Sequence, residues 1–306
     1  MRTYSSAEIC LMLLYALPGE PLREGVYRKL FRAYTALGTE QEDRDLQEQD
    51  LMRLGCNRET SKQILYRLEQ QETLYSYLRN LRSHGIEVVT RLSPDYPQKL
   101  RKVLGDRAPL ILYCSGNTAL FSTRCISLVG SRNLREKGTV FSMRAGEQIA
   151  AEGYTYCSGG AAGADSIGYA AAQKAGGNGI LFLADSLEGC MNQPQYKEAL
   201  EQGRLLLVSE FGYDQGFSTQ RAFSRNRLIH AIGEKTLVAQ SDYGSGGTWN
   251  GTLENLKQGW SPVFMCNEEP EHPGTCGLIE RGAVPVLTEE LSQLSLIQDA
   301  QLTFGG

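Results

Sequence analysis

The clearest pattern in the chain lies at residues 125–165, which read CISLVGSRNLREKGTVFSMRAGEQIAAEGYTYCSGGAAGAD. Two apolar runs, 125–129 and 154–158, predict strands, and residues 137–152 between them predict a helix. The runs are uniformly apolar rather than alternating, which is typical of parallel strands that are covered on both faces. This segment therefore predicts a strand–helix–strand unit of an α/β sheet.

The same alternation extends on both sides of this unit. Further strands are predicted at residues 86–89, 111–113, 179–184, 205–209, 236–239, 262–266 and 284–287. Further helices are predicted at residues 164–174, 219–232 and 248–257. Strands that alternate with helices favour a doubly wound, mostly parallel α/β sheet, in which ligands bind at the carboxyl ends of the strands.

The first part of the chain has a different pattern. Apolar residues recur at helical spacing within residues 9–17, 26–34 and 64–81, with glycines between the segments. Leu54, Gly55 and Cys56 are followed by a polar helix start and resemble a helix–turn–helix-type junction. We therefore expect a small all-helical domain at residues 1–82 and an α/β domain at residues 83–306.

Composition excludes several classes of protein. Apolar residues make up 41% and charged residues 22% of the chain, as in ordinary folded proteins, so wholesale disorder and a coiled coil are excluded. No apolar run approaches the ~18 residues that span a bilayer, and the N-terminal apolar run lacks a signal-peptide cleavage site. We expect a cytoplasmic protein without a membrane anchor.

Charge is distributed unevenly along the chain. The formal net charge is −4, which disfavours non-specific coating of nucleic acid. Basic residues nevertheless concentrate at 91–107 and 121–145, and acidic residues at 40–50, where we expect a solvated loop. A local basic face is therefore compatible with an acidic protein.

Cysteine and histidine usage predicts no metal site. None of the eight cysteines forms a C-x-x-C pair, and the three histidines are widely separated. Several cysteines lie in apolar runs, where cysteine behaves as a small buried hydrophobe. We expect reduced thiols, no zinc and no cofactor.

Gly130, Ser131 and Arg132 follow the first predicted strand of the opening segment. Glycine permits close approach of a ligand to the backbone, and arginine can bind a phosphate through two hydrogen bonds. The alternative interpretation is a helix cap followed by a solvent-exposed arginine.

The second strand of that segment runs into a loop of small residues that contains Gly159, Gly163 and Asp165. Backbone amides at a helix N-terminus can bind an anion. The loop lacks both the G-x-G-x-x-G spacing and the Walker lysine, so neither nucleotide motif is supported. The alternative is that Asp165 only caps the helix and the glycines only make a tight turn.

A third pair of motifs contains Arg225, Asn226 and Arg227, and later Ser245 and Gly246. On an ideal helix an R-x-R spacing puts the two arginines about 200° apart. One could therefore bind a ligand while the other pairs with an acid such as Glu210; an internal salt-bridge network is the alternative. Ser245 and Gly246 precede a predicted helix and offer a second cluster of backbone amides.

Four motifs in order characterise the chain: VGSR at 129–132, SGGAAGAD at 158–165, SRNRLI at 224–229 and SGGT at 245–248. SPDYP at 93–97, LYCSGN at 112–117 and GLIERGA at 277–283 accompany them. Together they resemble the DNA-processing protein A family, also called DprA or Smf, over nearly the whole chain.

The resemblance implies an extended Rossmann-like domain preceded by a helical domain similar to a SAM or helix-hairpin-helix fold. It further implies binding of single-stranded DNA, homodimers, loading of the RecA recombinase in natural transformation, and no catalytic residue. Some members carry a C-terminal winged helix, which we do not expect here. By motif position, the implied DNA pocket contains Gly130, Ser131, Arg132, Gly159, Gly163, Asp165, Arg225, Asn226, Arg227, Ser245 and Gly246.

Three departures from the family pattern leave the function open. Ala162 stands where the family has arginine, Tyr169 where it has histidine, and Gln240 where it has glutamate. Loss of a pocket arginine removes a phosphate contact and lowers both DNA affinity and its salt dependence. Whether DNA and RecA binding survive these changes, and whether a small nucleotide is the ligand instead, is not decided by the sequence.

Three functions remain in consideration. The leading hypothesis is sequence-tolerant binding of single-stranded DNA, with Phe223, Tyr243 or Trp249 available to stack bases. A second is an N-glycosidic hydrolase in which Glu210, Asp165 or Asp185 supplies the carboxylate. A third is a nucleotide sensor or adaptor that signals to a partner protein.

Overall fold

The computed structural model describes residues 2–18, 22, 25, 26, 30 and 47–296. The described chain forms two compact units. One holds the described residues up to Pro94 together with Pro109–Ile111, and the other holds Asp95–Ala108 and the described residues from Leu112 onward. Most of the helical pattern expected at residues 26–34 and of the acidic segment at 40–50 lies outside the described residues.

The first unit is mainly helical. Its elements are α1 (Ser6–Tyr15), α2 (Glu48–Arg53), α3 (Arg58–Leu68), α4 (Gln71–Ser83) and strand β1 (Glu87–Thr90). Between α2 and α3 the chain turns at Gly55, whose φ of 82° favours glycine, and Asn57 caps α3 by accepting from the Thr60 amide at 2.8 Å. The helix–turn–helix junction expected here is confirmed, but the single pattern expected at 64–81 is two helices.

The second unit alternates strands and helices as the sequence predicts. In chain order these are α5 (Gln98–Leu104), β2 (Ile111–Gly116), β3 (Cys125–Val129), α6 (Glu136–Ala151), β4 (Thr155–Ser158), α7 (Ala164–Lys174), β5 (Gly179–Phe182), α8 (Leu187–Met191), α9 (Pro194–Glu201), β6 (Leu205–Ser209), α10 (Thr219–Ile232), β7 (Thr236–Val238), α11 (Gly246–Gln258), β8 (Val263–Cys266), α12 (Pro273–Ile279) and β9 (Val284–Val286). A 3-10 segment, Thr288–Leu296, follows β9.

The strands of this unit lie in the order β2-β6-β5-β4-β3-β7-β8-β9. All pairs are parallel except β2 with β6, where Tyr113 faces Ser209 in an antiparallel register. Strands β4, β5 and β6 follow one another on one side of β3, and β7, β8 and β9 follow one another on its other side. Right-handed crossovers therefore put α6–α9 on one face of the sheet and α10–α12 on the opposite face. This is the Rossmann-like, doubly wound arrangement that the sequence predicts, with its switch point between β3 and β7.

Burial confirms the two-sided packing of the sheet. Every residue of β3, β4, β5 and β6 is buried, including Cys125 and Cys157. In the second unit, four of the described helices were not predicted: α5, α8, α9 and α12. They are five to eight residues long, too short for an apolar period to be recognisable, and two of them begin with a proline. Among the described residues, no helix has the length and apolar composition that crossing a bilayer requires.

A buried polar network joins α10 to α11. The His230 side chain is 1% exposed, and its Nδ1 lies 3.2 Å from the Asn255 amide nitrogen, which also donates to Ser261 Oγ at 3.1 Å. Since an amide nitrogen only donates, Nδ1 accepts and the imidazole is neutral. Burial and, secondly, the charge of Arg225 lower the pKa of His230 to about 3.

Acidification is expected to destabilise this unit through His230. Its pKa is about 3 in the fold against an ordinary value of 6.5, so between these values the unfolded chain binds a proton that the fold excludes. The free energy of unfolding is unaffected by protonation of His230 above pH 6.5. Below that pH, proton binding by the unfolded chain lowers the free energy of unfolding by about 1.4 kcal/mol per pH unit. Urea unfolding of wild type and His230→Gln along a pH series measures it: the stability difference between the two should shrink as the pH falls. Parallel pH profiles would contradict the assignment.

Candidate functional site

The first two predicted motifs lie against each other at the carboxyl end of the sheet. Gly130 and Ser131 leave β3, Gly163 precedes α7, and the Ala164 amide donates to the Ser131 carbonyl at 3.3 Å. A Cβ on Gly130 would lie 2.5 Å from the Ala164 Cβ, and one on Gly163, whose φ is +86°, would overlap the Ser131 carbonyl. These two glycines are therefore required by the packing of loop against loop.

Asp165 organises the glycine loop from inside. Its Oδ2 accepts hydrogen bonds from the Gly159 amide at 3.1 Å and the Ala161 amide at 3.3 Å, and the residue is buried. Burial raises the pKa of Asp165, and the positive charge of Arg225 opposes that rise. Two amides of this loop are thus already satisfied, so Asp165 acts as the loop's internal acceptor.

Arg225 lies beneath the same loop. It projects from α10 with 5% of its surface exposed, and a methyl group on Gly159 would overlap its guanidinium group. Its Nε is buried without a hydrogen-bond partner, and within the described part of the chain no hydrogen bond or ion pair to Arg225 occurs. Burial lowers the pKa of Arg225, the Asp165 carboxylate raises it, and Arg132 lowers it. The result is a largely buried guanidinium group whose Nε–H donor has no acceptor.

Arg227 has the opposite environment, although it is only two residues away. Its Nη1 donates to Glu210 Oε1 at 2.7 Å and its Nη2 donates to Glu210 Oε2 at 2.6 Å. The two side chains are 12% and 6% exposed, so the pair is largely removed from water. The expectation that one arginine of the R-x-R motif pairs with Glu210 is confirmed, and that arginine is Arg227.

Asn226 connects the third motif to the fourth. Its Nδ2 donates to the Gly247 carbonyl at 3.1 Å, so the start of α11 is held against α10. Ser245 and Gly246 stand at that helix start, where the exposed Ser245 makes no capping hydrogen bond through its side chain. This turn follows β7 and therefore lies at the carboxyl end of the sheet, as Gly159 beside Arg225 does.

Arg132 and several exposed aromatic rings lie at the carboxyl end of the sheet. The Arg132 guanidinium lies 5.3 Å from the centre of the Phe217 ring, and Phe217 is 49% exposed. Phe223 and Tyr243 are also exposed, whereas Trp249 is 4% exposed beneath Tyr243, with the two ring centres 4.9 Å apart. The expectation that Trp249 could stack on a base is wrong, because its ring is covered by its neighbours.

Sequence reasoning missed three residues between β6 and the start of α10: Phe211, Phe217 and Arg221. Phe217 lies under Arg132, and Arg221 lies 6.0 Å from the centre of the Phe211 ring. Both aromatic residues belong to the segment between β6 and α10. The signal that could have identified them is the recurrence of Phe211, Tyr213 and Phe217 in a segment of otherwise small and polar residues at a strand's carboxyl end.

The carboxylates considered for hydrolysis make internal contacts. Glu210 pairs with Arg227 through both oxygens, Asp165 accepts from two loop amides, and Asp185 Oδ1 accepts from the Ser186 amide at 2.8 Å. Within the residues that the structure describes, no three His, Cys, Asp or Glu side chains are arranged to hold a metal ion.

Comparison with known proteins gives a consistent family assignment. The family model described as DNA recombination-mediator protein A matches residues 87–295. DNA processing protein DprA of Bacillus subtilis is 26% identical over 213 residues, which cover 68% of this chain and 71% of that protein. Protein Smf of Synechocystis is 25% identical over 233 residues, 72% of this chain but 57% of that protein.

Two solved structures share the fold. DNA processing protein A from Streptococcus pneumoniae superposes with a TM-score of 0.72 at 21% identity, covering 90% of this chain and 94% of that one. DNA processing protein A from Helicobacter pylori, whose structure is described for its single-stranded DNA binding mode, gives a TM-score of 0.56 at 24% identity, covering 65% of this chain and 90% of that one.

Proposed function

We propose that this chain, which belongs to the DNA recombination-mediator protein A family, binds single-stranded DNA at the carboxyl end of its parallel sheet. Family membership supports a role in DNA processing. The observation that carries the proposal is Arg225, whose buried Nε has no acceptor and whose guanidinium group lies against Gly159. A buried cation is costly unless oxygen atoms satisfy it, and a phosphate supplies them.

The proposed site residues divide into two groups. Arg225 and Arg132 contact the phosphate. Ser131 and the backbone amides of Ser245 and Gly246 contribute to binding at the same carboxyl end of the sheet. The remaining residues hold these groups in place through the contacts described above: Gly130, Gly159, Gly163, Asp165, Asn226 and Arg227. Exposed rings of Phe217, Phe223 and Tyr243 offer stacking surfaces for bases, which makes binding tolerant of sequence.

An oligonucleotide titration at two salt concentrations tests the proposal. Binding of a labelled single strand should weaken steeply between about 50 mM and about 200 mM salt, because bound phosphates release counterions. Salt-independent or undetectable binding would contradict it. Thermal stabilisation by mononucleotides and not by oligonucleotides would instead favour the nucleotide sensor or adaptor. Release of free base from a nucleotide, abolished in Glu210→Gln, would favour the hydrolase.

Arg132→Gln is expected to lower affinity for single-stranded DNA about tenfold without changing stability, because an exposed arginine contributes a screened phosphate contact. Fluorescence anisotropy measures the affinity. Arg144→Gln is the matched control, since Arg144 is an exposed arginine on α6 with its own partner, Glu147, at 3.2 Å. Equal affinities of the two variants would remove Arg132 from the site.

The finer parts of the proposal follow the family resemblance. We infer that the protein acts as a cytoplasmic homodimer, loads RecA onto single-stranded DNA in natural transformation and has no catalytic residue of its own. A RecA-loading assay and sedimentation of the purified chain test the first two inferences. We also propose that residues 1–82 and 83–306 are separate domains, which limited proteolysis would test.

A further inference from the structure

One residue of β7's carboxyl end holds the loop that carries Arg132. The Gln240 carbonyl accepts from the Ser131 amide at 2.9 Å. Its side-chain Oε1 accepts from the Arg135 amide at 2.8 Å, and its Nε2 donates to the Asn133 carbonyl at 3.1 Å. Gln240 is 7% exposed, so its own side of these bonds is shielded from water. Three of the five residues from 131 to 135 are thus bonded to a single residue across the switch point of the sheet.

The contacts that this chain makes here match a carboxamide, which is where it departs from the glutamate of the family pattern. A backbone N–H only donates and a carbonyl only accepts, so the side chain must offer an acceptor to Arg135 and a donor to Asn133 at once. A carboxylate can accept from Arg135 but has no proton for Asn133, and the two oxygens would then repel each other. A thioether of similar size, as in methionine, would satisfy neither partner.

We propose that Gln240 is a positioning residue that holds residues 131–135 so that Arg132 lies beside Arg225 at the proposed phosphate-binding site. The inference rests on the proposed function for its effect on DNA. The backbone of Arg132 is fixed through Gln240, and its guanidinium lies over Phe217. Without the Gln240 side chain, the Asn133 carbonyl and the Arg135 amide lose their hydrogen-bond partner. The loop then opens so that water can bond to both groups.

The pH dependence of Gln240→Glu separates this role from simple packing. At neutral pH the carboxylate should lower DNA affinity about tenfold by leaving the Asn133 carbonyl without a donor. When the carboxyl protonates, its O–H can donate to Asn133 while its carbonyl accepts from Arg135, so affinity should recover. Charged residues on the elements that meet here are Arg132, Arg135, Glu136, Lys137, Asp242 and Glu269, the last paired with Arg135 at 3.4 Å.

The experiment compares wild type, Gln240→Glu and Gln240→Met in the full chain. Amide hydrogen exchange of the peptide that covers residues 131–136 is measured without DNA, and anisotropy with a labelled oligonucleotide, each from about pH 8 to about pH 4, a range that includes the ordinary glutamate pKa of about 4.3. Gln240→Glu should exchange faster and bind more weakly than wild type at high pH, and approach it at low pH. Gln240→Met should be impaired at every pH.

Two outcomes would overturn the proposal. Wild-type exchange in both variants would show that Gln240 does not hold the loop, and an equal defect of Gln240→Glu at all pH values would show that its hydrogen-bond pattern is not what matters. Failure of the wild type to bind DNA would refute the proposed function alone, because the exchange measurement still decides whether Gln240 holds the loop.

Discussion

Arg225→Gln is expected to lower the affinity for single-stranded DNA about 100-fold while the protein stays folded, which corresponds to about 2.7 kcal/mol of binding free energy. The reason is that charges attract each other more strongly in the low-dielectric surroundings of a buried group than in water. Two unit charges 4 Å apart attract by about 1 kcal/mol in water but by about 4 kcal/mol where the surroundings are protein-like. Arg225 is 5% exposed and makes no hydrogen bond within the described residues, so folding has removed water from its buried Nε without supplying an acceptor.

Measurement of Arg225→Gln requires two controls. We expect the variant to fold, because Asp165 keeps its two amide donors when the guanidinium is removed. Far-ultraviolet circular dichroism checks this. Arg225→Lys keeps a positive charge near the buried Asp165 carboxylate but lacks the planar set of donors. Its affinity for single-stranded DNA should therefore fall about tenfold. The salt slope of Arg225→Gln should fall by about one unit. Unchanged affinity in folded Arg225→Gln would refute the phosphate site.

The fold was predictable because its signal is repeated along the chain. β3, β6, α7 and α10 begin and end where their apolar patterns do, since strands buried on both faces and helices that cover them leave little choice of residue. Short helices such as α8 bury too few residues to impose a period. Their positions depend on the strands that they connect, and local sequence does not contain that information.

The site was predictable only as a set of motifs. Helical geometry correctly separated Arg225 from Arg227, and Glu210 was a correct partner. The sequence could not tell which arginine was which, because that depends on which side of α10 faces the sheet. It also could not reveal that Asp165 occupies loop amides, or that Gln240 reaches back to Asn133 and Arg135, since these contacts join residues brought together only by the strand order.

Arg227→Gln is expected to affect stability where Arg225→Gln affects binding. Removal of Arg227 leaves the Glu210 carboxylate, 6% exposed, without its bidentate partner. Breaking a buried ion pair from one side costs about 3–5 kcal/mol because an uncompensated charge stays in the protein. Urea unfolding should show this loss directly. DNA affinity, measured at low temperature and without denaturant where the variant remains folded, should stay within about twofold of wild type, since a guanidinium bound to Glu210 is not free for a phosphate.

A double variant distinguishes an uncompensated charge from a loss of packing. In Arg227→Met with Glu210→Gln, neither side chain is charged, so most of the stability lost in Arg227→Gln should return. If the double variant is as unstable as the single one, the defect lies in packing against α10 rather than in the stranded carboxylate. If Arg227→Gln instead loses DNA binding at full stability, the two arginines have been assigned the wrong way round, and Arg227 must release Glu210 to reach the phosphate.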